Sequence, residues 1–261
     1  PKAREAVREH RHRHAEDVLL RERERPCGSE QGLGARRRAP AVGAGGHVGC
    51  SGDAAMVPRH RCTRPPGAYA PTMDDVTALT LAADRFTAVA AEVTPADLDR
   101  PTPCDGWTVR DLLAHVIGGS RMAVAVVGGA SREEAIVVAG DVEIDATGVG
   151  GQVRAALDAQ GAALADPTIR DRIVHHPAMD MPVAQLLGFR IGDLTVHAWD
   201  LARAIGQDLS LDPDLVAVVW GNVEPMLGFI ATTGVFGAGP SGTVPDDAPL
   251  ERRLLDAMGR R

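Results

Sequence analysis

The sequence predicts an all-α protein, a four-helix bundle with short additional helices. Apolar residues recur at steps of three and four in several long segments, which is the period of one buried helix face. Segments rich in Pro and Gly separate these periodic segments. Aromatic residues make up only 3% of the chain, while Ala, Val, Leu and Gly are plentiful, so we expect an aliphatic core. Several independent helical periods therefore agree on one fold class.

Residues 1–72 are predicted to be a disordered basic extension, and residues 73–261 the folded bundle. The first part contains 14 Lys or Arg and 8 Asp or Glu, whereas the second contains 14 and 27, within a net charge of -7. The first part also offers too little apolar surface to offset the entropy of ordering the chain. Our hypothesis is that the natural protein starts at Met73 and that the preceding segment is a mistaken upstream extension.

The sequence argues against nucleic-acid and membrane partners. The Arg-rich pieces of residues 1–72 could form an RNA- or DNA-binding arm, but no aromatic platform accompanies them, and residues 73–261 are acidic. No run of about 18 apolar residues and no secretory signal is present. Cys104 is the only cysteine after residue 72, so the bundle cannot form an intramolecular disulfide. These features predict a cytoplasmic location.

The bundle is predicted helix by helix. A first helix of roughly 20 residues starts near Met73, and a second starts at the N-cap Thr108, with Asp111 as its acidic partner, and ends at Gly128. Segment 131–144 is ambiguous, and segment 168–176 is either a brief strand or an extended link. The remaining helices are expected at 151–166, from about Pro182 to Ile205, at 214–230 and at 249–259.

The segment FRIGDLTVHAWDLARAIG, residues 189–206, has two stripes at helical spacing. One is apolar, and the other consists of Arg190, Asp193, His197 and Asp200. Asp193 and His197 are four residues apart, so both side chains lie on the same side of a helix and can reach one cation. If His115 of the second helix lies beside them, two imidazoles and a carboxylate form a catalytic-type site for Zn²⁺ or a similar divalent ion.

Other interpretations of the same residues stay open at this stage. A lone Asp/His pair at this spacing is more often a surface hydrogen bond than a metal site, and a lone His115 is more often bonded to a backbone carbonyl. Asp200 and Arg190 are expected to support the site as a structural carboxylate and an ion-pair partner. We interpret His175, His176 and Cys104 as structural or inert, and Trp107 and Trp199 as packing anchors, as the residue types and positions indicate.

Two separated motifs resemble a known family. PTPCDGWTVRDLLAHVIGG, followed much later by GDLTVHAWDLARAIG, is similar to the metal-binding domain of mycothiol-dependent maleylpyruvate isomerases, part of the DinB-like four-helix-bundle superfamily. The resemblance extends from about Met73 to the end of the chain. It implies that His115, Asp193 and His197 are the metal ligands, with aspartate here in place of the glutamate of the isomerase.

The resemblance also implies thiol chemistry. A Zn²⁺-like ion with an open position would hold the sulfur of a low-molecular-weight thiol, mycothiol, as a thiolate. The thiolate would then add to an activated double bond or displace a leaving group on a small-molecule electrophile. The isomerase has a second C-terminal domain, whereas residues 198–261 fit one helix, a loop and a terminal helix, so the implied reaction is thiol transfer or isomerisation of another substrate. The alternative is a non-catalytic module with a structural ion, and a homodimer is left open.

Overall fold

The structure is a computed structural model that describes residues 73–140, 142–233 and 239–261. The predicted disorder of residues 1–72 and the hypothesis of a start at Met73 concern residues 1–72, which lie outside the described residues. The α-helices of the described part are α1 (Asp75–Ala91), α2 (Val109–Val127), α3 (Arg132–Gly140), α4 (Val149–Leu164), α5 (Val183–Ala204), α6 (Pro213–Val223), α7 (Leu227–Thr233) and α8 (Leu250–Ala257).

Four long helices form the bundle, and the all-α prediction is confirmed. Helix α1 packs against α4 and α5, and α2 packs against the same two helices. The four helices therefore enclose one core, with α1 and α2 at opposite corners. The core is aliphatic, as the composition predicts, and Phe86 is its one fully buried aromatic side chain among the described residues. Close packing of this kind fixes the side chains that face between α2 and α5.

Local signals set the ends of the helices that position the site. Helix α2 begins at Thr108, whose side chain accepts a hydrogen bond from the backbone N–H of Asp111 while the Asp111 carboxylate accepts one from Thr108. This capping box satisfies N–H groups that a helix start leaves without a partner, and it confirms the predicted start. Gly128 ends the helix as predicted.

Helix α5 is the most buried element of the bundle. It covers Val183–Ala204, close to the predicted range, and contributes apolar residues such as Leu187, Ile191 and Leu194 to the core. Arg190, His197 and Asp200 are also buried on it, which is unusual for charged side chains unless they are paired. The polar stripe seen in the sequence therefore faces the protein interior and not the solvent.

The structure resolves the two ambiguous segments. Residues 132–140 form helix α3 against α2, and Gly118 permits this close approach because a Cβ there would clash with the carbonyl oxygen of Ala139. Residues 173–175 form strand β1 (Ile173–His175), which pairs antiparallel with β2 (Asp180–Pro182) immediately before α5. The hairpin is the only sheet within the described ranges.

The C-terminal segment folds back onto the bundle. Helix α8 packs against α6, with Leu254 and Met258 buried. Residues 213–233 form α6, a short 3-10 turn and α7 in place of the single helix predicted at 214–230, because Pro225 lacks the N–H that a continuous helix needs. No helix in the described part of the chain has the length and apolar character needed to cross a bilayer.

Candidate metal centre

His115 of α2 meets Asp193 and His197 of α5 at one point between the two helices. The Nε2 atom of His115 lies 3.1 Å from Oδ1 of Asp193, and Nε2 of His197 lies 3.3 Å from the same oxygen. One ligand atom from each of the three residues lies within 4.8 Å of the other two. The structure therefore brings together the three residues that the sequence analysis selected. Their role as metal ligands stays a prediction.

Asp193 divides its two carboxylate oxygens between different partners. Oδ1 faces the imidazoles, whereas Oδ2 accepts a hydrogen bond of 2.7 Å from Nη1 of Arg190. Burial raises the pKa of Asp193, but the charges of His115, Arg190 and His197 together outweigh burial and hold this pKa well below its usual range. Asp193 is therefore an ionised carboxylate with one oxygen directed at the site.

His197 is held from its other ring nitrogen by Asp200. The Nδ1 atom of His197 lies 2.9 Å from Oδ2 of Asp200, whose side chain is fully buried. Burial lowers the pKa of His197, but its interactions with Asp193 and Asp200 outweigh burial and raise it well above the usual value. Because of this raised pKa, a metal ion would have to displace the proton on Nε2, the atom that faces the site, while the Nδ1 proton would stay bonded to Asp200. This is the orientation that a metal-ligating histidine needs.

Trp107 packs against the core, as predicted, and its ring also lies on one side of the site, a position that no signal in the sequence indicates. Its ring centroid lies 4.9 Å from that of His115 and 6.0 Å from that of His197. The loop before α2 places the ring there by closing on itself, with a hydrogen bond from Thr102 N–H to Trp107 C=O and Gly106 at a positive φ of 73°. The indole therefore lies against both imidazoles on one side of the site.

Cys104 has no base next to it in the sequence, but the fold places it beside His197 and Asp200. Its Sγ is 3.3 Å from Oδ2 of Asp200 and 3.9 Å from Nδ1 of His197. Arg260, from the segment after α8, lies 3.2 Å from the sulfur through Nη2 and also pairs with Asp200. Cys104, His197 and Asp200 make a second group with metal-ligand donors. The guanidinium of Arg260 already bonds to two members of this group, Cys104 and Asp200.

His175 and His176 lie apart from the candidate metal centre. His175, at the end of β1, pairs with Asp180 of β2 at 3.0 Å. His176 accepts a hydrogen bond from the backbone N–H of Ala178, and burial, with the charges of Arg190 and Arg132, lowers its pKa to about 4. Both histidines thus form hydrogen bonds within the β1–β2 hairpin, which agrees with the structural role predicted for them. Trp199 is buried and has Arg203 over its ring.

The fold and this cluster together define a class of protein, namely helical bundles in which two helices hold a group of side chains that could bind a metal ion. The chain belongs to the family of mycothiol maleylpyruvate isomerase N-terminal domains, whose model matches residues 79–202. The match includes His115, Asp193 and His197. It also covers all four long helices of the bundle except the first residues of α1 and the last residues of α5.

Two mycobacterial proteins are also similar to this chain. The uncharacterized proteins MT0763 and Rv0738 of Mycobacterium tuberculosis, from strains CDC 1551 / Oshkosh and ATCC 25618 / H37Rv, are each 32% identical to the chain over 182 residues. The alignment covers 69% of this chain and 91% of each relative. The alignment of 182 residues is longer than the family match at residues 79–202, so it also includes residues outside that match.

Solved structures of the mycothiol-dependent maleylpyruvate isomerase are more distant. The crystal structure of that enzyme gives a TM-score of 0.46 at 15% identity and covers 57% of this chain and 68% of its own. A histidine-to-alanine mutant of the same enzyme gives a TM-score of 0.44 at 14% identity over the same shares. The family assignment depends on the matched residues and on the mycobacterial relatives.

Proposed function

We propose that this protein binds a divalent metal ion, with Zn²⁺ the first choice, through His115, Asp193 and His197. The observation that supports this proposal is the approach of two imidazole nitrogens and one carboxylate oxygen from two helices to within 4.8 Å of one another. Two His and one carboxylate are a ligand set of catalytic zinc sites, in which a fourth position stays open.

The surroundings of the three residues fit such an ion. Arg190 binds the second oxygen of Asp193, and Asp200 binds the second nitrogen of His197, so these two residues each present one atom to the site. The His115 side chain is 40% exposed, which leaves the site accessible to a small molecule from solvent. When bound, the ion would supply Lewis acidity that favours the thiolate form of a thiol.

The proposed reaction uses mycothiol as a cosubstrate. The name of the family points to this thiol. The thiolate sulfur forms a bond to an activated double bond of a small-molecule electrophile and leaves again after rotation, which is isomerisation, or it displaces a leaving group, which is S-transfer. The ring of Trp107 borders the site on one side, and Arg190 and Asp200 keep Asp193 and His197 oriented.

The proposal has three further parts. The first is that residues 73–261 form the metal-binding unit. The second is that the protein acts in the cytoplasm. The third concerns its oligomeric state, for which both a monomer and a homodimer are compatible with the site. Cytoplasmic action agrees with thiol-dependent chemistry, since a reducing compartment keeps the thiol and Cys104 reduced. Sedimentation of the purified full-length chain distinguishes the monomer from the dimer.

A second candidate function is a helical module in which the ion is structural. The observation that favours it is that the ligands come from α2 and α5, so one ion would join two helices of the bundle. Removing the metal with a chelator would then lower the melting temperature strongly, and no mycothiol would be consumed with any electrophile. A catalytic ion instead leaves a folded protein that consumes mycothiol only when the metal is present.

The test is the metal content of the full-length protein. We expect about one divalent ion per chain in the wild type and little in His115→Ala and His197→Ala, because two remaining ligands bind weakly. His175→Ala is the matched control, since His175 also pairs with an aspartate but lies in the hairpin. Unchanged metal content in either ligand variant would overturn the assignment.

A further inference from the structure

A buried ion pair lies directly behind the candidate metal centre. Asp200 has no exposed surface and accepts a hydrogen bond from Nδ1 of His197 at 2.9 Å. On its other side, Nε of Arg260 donates to Oδ1 of Asp200 at 3.0 Å, and Nη2 donates to Oδ2. The fork of the guanidinium thus engages both carboxylate oxygens, which is the strongest geometry for this pair.

The pair needs both members because Asp200 is fully buried and the Arg260 side chain is nearly so. The side chain of Arg260 is 8% exposed, and its remaining bonds go to the backbone C=O of Met258 and to Sγ of Cys104. An isolated buried carboxylate is costly, and the guanidinium offsets that cost. The fork also fixes the rotation of the carboxylate, and so fixes where Oδ2 meets the imidazole of His197.

We infer that Arg260 is a positioning residue, which acts through Asp200 to hold the imidazole of His197 with Nε2 facing the candidate metal centre. As a contribution to metal binding, this role rests on the proposed function. A ligand oriented before the metal arrives loses less freedom on binding, so affinity is higher. The last residues of the chain, 60 positions away from Asp200, thereby become part of the support for the site.

The C-terminal segment is built to keep Arg260 in place. Leu254 and Met258 anchor α8 in the core, and Gly259, at a positive φ of 77°, turns the chain so that residue 260 points inward. Arg261 pairs instead with Asp256 and donates to the backbone C=O of Gly239. The adjacent residues Arg260 and Arg261 therefore bond to different partners, so a substitution of Arg261 is a matched control for the same substitution of Arg260.

The first measurement is metal affinity, by competition with a chromophoric chelator, for full-length wild type and three variants. We expect Arg260→Met to bind Zn²⁺ or Co²⁺ about 10–100-fold more weakly, as for other residues that orient a metal ligand. Arg260→Lys keeps the positive charge but loses the two-pronged guanidinium geometry, so the metal affinity of this variant should lie between those of the wild type and Arg260→Met. Arg261→Met should bind as the wild type does. Equal affinity in Arg260→Met and wild type would overturn the inference.

The second measurement does not depend on metal. In the metal-free protein, the Nδ1 proton of His197 should give a downfield proton resonance, protected from exchange by its hydrogen bond to Asp200 and identified by its loss in His197→Ala. We expect this resonance to disappear in Arg260→Met, to return in part in Arg260→Lys, and to persist in Arg261→Met. Its persistence in Arg260→Met would overturn the inference.

The two measurements separate this inference from the proposed function. If the wild type binds no metal, the proposed function fails, and the His197 resonance still decides the role of Arg260. If the wild type binds metal but Arg260→Met keeps either the wild-type metal affinity or the His197 resonance, the inference alone fails. Should Arg260→Met be unfolded, Arg260→Lys is the deciding variant, and the inference then requires a weakened resonance in a protein with a cooperative melting transition.

Discussion

Arg190 and Asp193, one helical turn apart on α5, form a buried ion pair with 2.7 Å between Nη1 and Oδ2. The other donors of Arg190 are also used, by Oε1 of Gln160 and by the backbone C=O of Val116 and Oγ of Ser120 on α2. This arginine therefore links three helices and directs one oxygen of Asp193 to the imidazoles. The ion pair therefore contributes both to the stability of the bundle and to the geometry of the site.

Replacing Arg190 with Met should destabilise the metal-free protein. The change leaves Asp193 without its guanidinium partner, and breaking a buried pair in this way costs about 3–5 kcal/mol, toward the lower end here because Asp193 is 20% exposed. Urea denaturation in the presence of a chelator measures the free energy of unfolding. Arg154→Met is the control, since Arg154 pairs with Asp84 on the surface and should cost only about 0–1 kcal/mol. Equal losses in the two variants would contradict this interpretation.

Gly119 of α2 makes room for Arg190. A Cβ at this position would lie 2.5 Å from Nη1 of Arg190, so Gly119→Ala must move the guanidinium away from Asp193. We expect a loss of about 1–3 kcal/mol in unfolding free energy, as for other overpacked sites, and weaker metal binding. Chemical denaturation and a chelator competition measure the two effects.

Gly151 of α4 is the control for that substitution. A Cβ there meets nothing within 4 Å, so Gly151→Ala should stabilise the protein by about 0.4–1 kcal/mol through the unfolded state. Metal affinity should not change. A gain in stability for both alanine variants would show that Arg190 accommodates the new methyl group without leaving Asp193.

Trp107 should report on metal binding by its fluorescence. Its ring lies against the imidazoles of His115 and His197, so a Co²⁺ ion held by them would accept energy from the excited indole and quench it. We expect the greater part of the Co²⁺-dependent quenching to vanish in Trp107→Phe. Trp220→Phe is the comparison, because Trp220 is buried on α6. Quenching that depends on Trp220 instead would place the ion elsewhere.

His176 should make the protein less stable in mild acid. Its pKa is lowered to about 4 in the folded protein, against 6.5 for an unperturbed histidine, chiefly by burial. Between these values the unfolded chain binds up to one more proton than the folded chain. Stability from this group is therefore fully present above pH 6.5 and is lost as the pH falls toward about 4.

The substitution His176→Asn tests this dependence on pH. The Asn side chain can accept the hydrogen bond from Ala178 N–H, now 3.1 Å from Nδ1 of His176, but it does not titrate. Unfolding free energies measured from pH 7 to pH 4 should fall less steeply in the variant than in the wild type. Identical slopes, or an NMR titration of His176 near pH 6.5, would contradict the prediction.

The sequence by itself determined the four long helices of the bundle and the placement of two of the three proposed ligands, Asp193 and His197. The period of apolar residues and the capping box at Thr108 depend on interactions within one or two turns, so they can be recognised without the fold. Asp193 and His197 lie on one side of α5 for the same local reason. The pairing of Arg190 with Asp193 also follows from spacing along one helix.

Only the tertiary structure decided what surrounds those two residues. His115 reaches them because α2 packs against α5, and the sequence analysis placed it there only on the condition that these helices are neighbours. Cys104, Trp107 and Arg260 have no local pattern that points to the site, since each contacts it from a loop or a terminal segment. Their positions depend on how distant segments pack together, and no short-range period in a chain encodes such contacts.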